Sequence, residues 1–198
     1  MDNTLNVAYY VVSKYDDITP LKLQKLLYYL KVWGLIAGKN LFDGNFEKWP
    51  HGPVNARVYH KFKEFQSEPI TLPPWLKFND PFKGEEKVTA DFILDCYAQY
   101  SGGTLSAMSH ADLPWRNTQT GKMISEKIMR SFYSCLLFAK NFPFDAENKP
   151  FYPVPTDTHY AFAFDMNQKD AVIAQVFPSF KEYKAMQEAT SRELQILL

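Results

Sequence analysis

The residues that first suggest chemistry are four histidines and two cysteines: His51, His60, His110, His159, Cys96 and Cys135. A metal site needs three or four such ligands at spacings that let them converge, as His-x-x-x-His or Cys-x-x-Cys pairs do. The chain has no such pairing, so no metal is expected. Both cysteines fall on the apolar stripes of expected helices, where a thiol behaves as a small hydrophobe rather than a nucleophile. Ser109 and His110 are adjacent, and adjacent side chains on a helix point apart. The glycines of SGGT (101–104) lack the strand–elbow–helix setting of a hydrolase serine, and no phosphate-cradling glycine pattern occurs. The residues therefore support neither an enzyme nor a cofactor.

Two dense segments remain, WPHGPV (49–54) and SHADLPW (109–115). Their composition points to fixed geometry. Gly52 gives the backbone a conformation closed to other residues, and Pro53 is expected to set up a helix. Trp49 and Trp115 are large enough to pin corners by burial, each with an indole N–H that needs an acceptor. His51 and His110 are suited to satisfying neighbouring carbonyls. This favours a structural corner over a surface that contacts a partner directly.

The whole chain narrows the choice further. Its 198 residues are 46% apolar and 16% aromatic, enough for a substantial core. Twenty-two acidic and 22 basic residues cancel, leaving no bulk field to draw the chain to nucleic acid. Lys22, Lys25 and Lys31 lie on one expected helix near aromatics, but read best as its solvated side. The N-terminal MDNTLNVAYYVVSKYDD has no signal-peptide pattern, and no apolar run reaches the ~20 residues of a membrane span. Two unpaired thiols and no export signal predict the cytoplasm.

The elements that must position these residues are mostly helical. A first helix is expected over residues 4–14, with Leu5, Ala8, Tyr9, Val12 and Tyr15 on its apolar face. Thr19 and Pro20 then cap a strong helix, with Leu23, Leu26, Leu27, Leu30, Trp33 and Ala37 on one stripe and Gly38 as terminator. Pro53 is expected to open a third helix, with Val54, Val58, Phe62 and Phe65 buried. Residues 67–88, with four prolines, read as a surface connection. Thr89 caps a fourth helix facing inward through Ile93, Cys96, Tyr97 and Tyr100, and a short helix follows from Thr104 to Ala111. Ser125 opens a longer one with Ile128, Phe132, Cys135, Leu136 and Ala139 on one face.

After Asn141 the composition changes: a proline-rich linker, two strand-like runs (HYAFAFD and AVIAQVF) around a polar turn, and a capped final helix from Ser179. The expected fold is mainly α: a compact helical domain over 1–140 with a small mixed α/β extension over 141–198, made of a short β-hairpin and a last helix.

Three motifs stand in order: PLKLQKLLYYLKVWGL, LFDGNFEKWPHGPVNARVY and LSAMSHADLPWRN. Together they resemble the Panacea domain, the SocA-like antitoxin family first described as a phage-associated domain of unknown function. The resemblance covers roughly residues 4–140. It rests on Leu23, Gln24, Lys25, Leu26, Tyr28 and Tyr29; on Trp49, Gly52, Pro53 and Val54; and on Leu105, Ser106, His110, Pro114 and Trp115. The position before Gly52 is often Tyr in that family and is His51 here. The resemblance implies a bacterial or prophage-encoded antitoxin that is not an enzyme and that neutralises a cognate protein toxin, encoded next to it, by direct binding. The alternatives it leaves open are an adaptor handing the toxin to an ATP-dependent protease and a phage-linked DNA-binding regulator. The tail from Asn141 lies outside the resemblance and is expected to adjust partner choice.

Overall fold

Thr19 and Pro20 start the helix around which the first part of the molecule is built. In the computed structural model, Thr19 is extended (φ −77°, ψ 159°) and its Oγ1 accepts from Lys22 N at 3.3 Å. With Pro20 at the first position this opens α2, Pro20–Ile36. The helix closes where Gly38 takes a φ of 72° and Lys39 N donates to Gly34 O at 2.8 Å. The structure describes residues 3–143, 149–154 and 176–196. They fall in two units, 1–135 and 136–198.

The first unit holds α1 (Thr4–Lys14), α2, α4 (Gly84–Ala98), α5 (Gly102–Ala111), α6 (Leu113–Arg116), α7 (Glu126–Tyr133) and a two-stranded antiparallel ribbon that packs on α2 and α5. The ribbon pairs β1 (Glu47–Trp49) with β2 (Gly52–Val54) and leads into α3 (Ala56–Phe62). Helix α2 packs against α1, α4, α5, α7 and β2. It is therefore buried all round: every residue from Leu23 to Leu35 is buried. Trp33 Nε1 donates to Tyr97 Oη at 2.6 Å, and Tyr29 stacks on Tyr97 with centroids 4.2 Å apart.

Several expectations are corrected. Lys25 and Lys31 are not on a solvated side; they are 0% and 5% exposed, because their helix has neighbours on every face. Pro53 does not open the third helix. It sits in β2 opposite Lys48, where its missing N–H is tolerated, and Asn55 caps α3 by accepting from Val58 N at 3.0 Å. Thr89 is not a cap: α4 starts at Gly84, and Thr89 donates from mid-helix to Glu85 O. Ser101, not Thr104, precedes α5 and caps it. On α1 the buried side is Thr4, Val7, Ala8, Tyr10 and Val11, with Leu5, Tyr9, Val12 and Tyr15 on its half-buried shoulder.

Helix α7 stops at Tyr133 and buries Met129 and Tyr133, leaving Ile128, Cys135 and Leu136 exposed. The expected stripe assumed one helix to Ala139, and the chain turns before that.

In the second unit, Leu137–Asn141 forms a 3₁₀ turn and α8 spans Phe180–Ile196. Phe138, Phe151, Phe177 and Tyr183 are buried, Phe151 and Phe177 exchange backbone bonds, and Glu182 N donates to Ser179 Oγ. The β-hairpin expected from HYAFAFD and AVIAQVF lies outside the described residues, except for Val176 and Phe177 at its end.

Candidate functional site

The β1–β2 hairpin is the point on which all three motifs converge, and it is held almost entirely by its main chain. From α2, the amide of Gln24 reads one residue twice: its Nε2 donates to Asn55 O at 3.2 Å and its Oε1 accepts from Asn55 N at 2.7 Å. The next residue, Lys25, donates from its Nζ to Pro53 O at 2.9 Å. Asn55 Nδ2 in turn donates to Asn45 O at 2.8 Å. Buried amides and ammonium groups persist only when bonded in this way.

Lys25 is the unusual member. It is fully buried and takes part in no ion pair among the described residues. Burial alone holds its amine down at about 7.

Gly52 explains why the amine is there. Its φ of 101° is a left-handed value, and a Cβ added to it would stand 2.7 Å from Lys25 Nζ and 2.9 Å from Ser109 Oγ. Helix α2 and helix α5 close on the backbone at this one residue, which only glycine permits.

From the other side, α5 and α6 grip the turn itself. Ser106 Oγ donates to His51 O at 3.0 Å, Trp115 Nε1 donates to Trp49 O at 3.2 Å, and the His110 imidazole bonds the Pro50 carbonyl. The ring of His110 lies 4.2 Å from that of Trp115. Burial first, then the positive charges of Lys25, His51 and Lys48, hold His110 below the ordinary histidine range. Its Nε2 is buried without a partner among the described residues.

Beside this clamp, Tyr29 and Tyr133 meet a carboxylate, and Tyr28 adjoins them through Tyr133. Tyr133 Oη donates to Asp112 Oδ2 at 2.5 Å and Tyr29 Oη to the same oxygen at 3.4 Å; the Tyr28 hydroxyl lies 3.4 Å from that of Tyr133. Burial pushes the Asp112 carboxyl up to about 6, against the pull of these two donors.

The structure thus brings Gln24, Lys25, Trp49, His51, Gly52, Pro53, Val54, His110 and Trp115 around one hairpin, with Pro114 buried in α6. Tyr28 and Tyr29 instead belong to the Asp112 cluster. His51 enters the clamp through its carbonyl, while its side chain is exposed. Asn55, Ser109, Asp112 and Tyr133 were not anticipated. Asn55 carried a signal, a capping residue just before an apolar-periodic run, which Pro53 overshadowed. Asp112 and Tyr133 carried none, since their contact joins residues 21 apart across α6 and α7.

Among the described residues, no group of histidine, cysteine or acidic side chains is arranged to hold a metal ion. No helix among them is long and apolar enough to cross a membrane.

Residues 23–116 match the family described as Antitoxin SocA-like, Panacea domain. Over that span the chain is similar to a Panacea domain. No curated protein and no solved structure matches it. The Panacea span runs from within α2 to the last residue of α6, so it contains both jaws of the clamp and the hairpin between them. Tyr133, which completes the Asp112 cluster, lies beyond that span.

Proposed function

We propose that this chain is the antitoxin of a toxin–antitoxin pair and neutralises a protein toxin by binding it directly. The observation that carries the reading is the match of residues 23–116 to an antitoxin family, over the segment whose side chains fix the hairpin. The polar groups gathered there support it: they bond main-chain carbonyls and amides, an arrangement suited to holding a recognition surface rather than to turning over a substrate. In this reading Trp49–Val54 is the rigid mount, with Gly52 indispensable and the His51 side chain replaceable. Residues 141–198 tune which toxin is accepted.

The test is to express the product of the adjacent reading frame alone and together with this chain. Growth arrest by the first and rescue by the second is the expected result; a harmless neighbour, or one not rescued, would overturn the reading. Toxin half-life separates the mechanisms, being unchanged in a stoichiometric complex and shortened, in a protease-dependent way, by an adaptor. Replacing His51 with Gln should leave rescue intact. Deleting residues 142–198 should weaken or broaden partner choice, and an unchanged partner range would remove the tail from the account.

A further inference from the structure

The hairpin has a third backbone neighbour. Lys48 N donates to Lys122 O at 2.9 Å, Gly121 N donates to Lys48 O at 2.8 Å, and Ile124 N donates to Phe46 O at 2.7 Å, with Glu47 bridged to Met123. This register sets Lys122 opposite Lys48. Like charges facing each other across a ladder repel, and no carboxylate among the described residues pairs with either of them. Lys48, Lys122 and Arg116 form no ion pair among the described residues. The acid next in sequence, Glu47, accepts from Trp49 Nε1 at 2.9 Å.

Lys48 Nζ instead lies 4.3 Å from the Trp115 ring centre and donates to Arg116 O at 3.1 Å, which sets the main chain of a third basic residue beside it. Arg116 and Lys122 are exposed. Large apolar side chains flank them in the chain, Leu113 at 43% and Met123 at 60% exposed. In a chain of zero net charge, a local concentration of unpaired cations on a rigid edge marks a place where charge is meant to meet charge.

We propose that this edge, Lys48–Arg116–Lys122 around Trp115, receives an acidic segment of the protein toxin. The inference rests on the antitoxin reading and names the chemistry of its partner. Carboxylates fit the three cations, and an apolar side chain beside them meets Leu113. Nucleic acid is the poorer occupant, because three cations release few counterions and would hold DNA weakly at physiological salt. The lowered proton affinity of His110, partly due to Lys48, agrees with a positive potential at this edge.

The test uses the full chain with Arg116→Glu and Lys122→Glu together, and the neutral pair Arg116→Gln, Lys122→Gln. Lys48 is left in place because it also braces Arg116 and Trp115. Circular dichroism and thermal unfolding confirm that both variants keep the fold. The probes are the purified toxin, a short alternating Asp–Glu peptide and duplex DNA. The expected result is a loss of about tenfold or more in toxin affinity on charge reversal, a smaller loss on neutralisation, and wild-type affinity that falls as salt rises.

Toxin affinity within twofold of wild type in the reversed variant would overturn the proposal. So would tighter wild-type binding of DNA than of toxin. If no neighbouring product is toxic, the antitoxin reading fails by itself, and the peptide decides the inference. Wild-type binding that is lost on reversal sustains it, and equal binding by both proteins, or none by either, overturns it.

Discussion

Lys25 and Lys31 lie six residues apart on one helix, and both are buried, yet the two ends of α2 treat them differently. At the Lys31 end the ammonium has a carboxylate, Glu126 Oε1 at 2.8 Å, together with Phe42 O at 3.1 Å and Asn40 Oδ1 at 3.4 Å. Glu126 is itself 46% exposed, so the pair keeps contact with water. At the Lys25 end the ammonium meets the carbonyl of Pro53, the backbone of Gly52 and the hydroxyl of Ser109. The half-buried acid of that region, Asp112, is occupied by Tyr133 and Tyr29. A lysine with a carboxylate ties loop to helix through charge. A lysine without one acts as a long, directed hydrogen-bond donor and bears the cost of desolvation.

The sharpest break of this contrast is Gly52→Val. The added side chain would enter space already held by Lys25 Nζ and Ser109 Oγ, on a backbone of φ 101°. It should cost about 3 kcal/mol or more in urea unfolding and detach the hairpin. Wild-type stability in the variant would mean that the clamp is not closed on Gly52.

Next comes Lys25→Met, read across pH. The folded amine titrates at about 7 and the unfolded one at 10.5, so the unfolded chain binds more protons between these values. Wild-type stability should therefore gain from this group as pH rises from 7, by up to about 1.4 kcal/mol per pH unit. The variant lacks that gain, so its deficit against wild type should widen with pH. A deficit independent of pH would show that Lys25 is charged in the folded protein, as a paired lysine would be.

Asp112→Asn probes the acid that Lys25 does not use. Its folded carboxyl titrates at about 6 against 3.8 unfolded, so the folded chain holds the proton longer and wild-type stability falls as pH rises between the two. The variant should gain on wild type over that window, by less than the Lys25 effect because the shift is smaller. The smallest change is Glu126→Gln. A half-exposed partner lost from Lys31 should cost about 0.5–1 kcal/mol, most visible at low salt. A larger loss would make the two ends of the helix alike.

What the sequence made legible follows a physical line. The bounds of α1, the Thr19–Pro20 start of α2 and its end at Gly38 were readable because each depends on neighbours in the chain. The burial of Lys25 and Lys31 was not, since a helix with neighbours on all sides buries whatever lies on it. Strands β1 and β2, three residues each, are too short to show alternation, and Pro53 argued for a helix start. Of the site, the motif residues could be named, but not that Gln24, Lys25, Ser106, His110 and Trp115 all reach for the main chain of one turn. Those bonds span 28 to 66 residues of sequence wherever a separation is defined by a hydrogen bond.

The clamp has a corollary for how such a domain diversifies. Its grips fall on the carbonyls of Trp49, Pro50, His51, Pro53 and Asn55, which every amino acid possesses. An outward side chain at position 51 can then change without loosening the turn, in the way a frame accepts different pictures. Randomising that position together with 116 and 122 should yield a library of folded proteins that differ in what they hold, so that new pairings arise by editing the surface while the interior stays fixed.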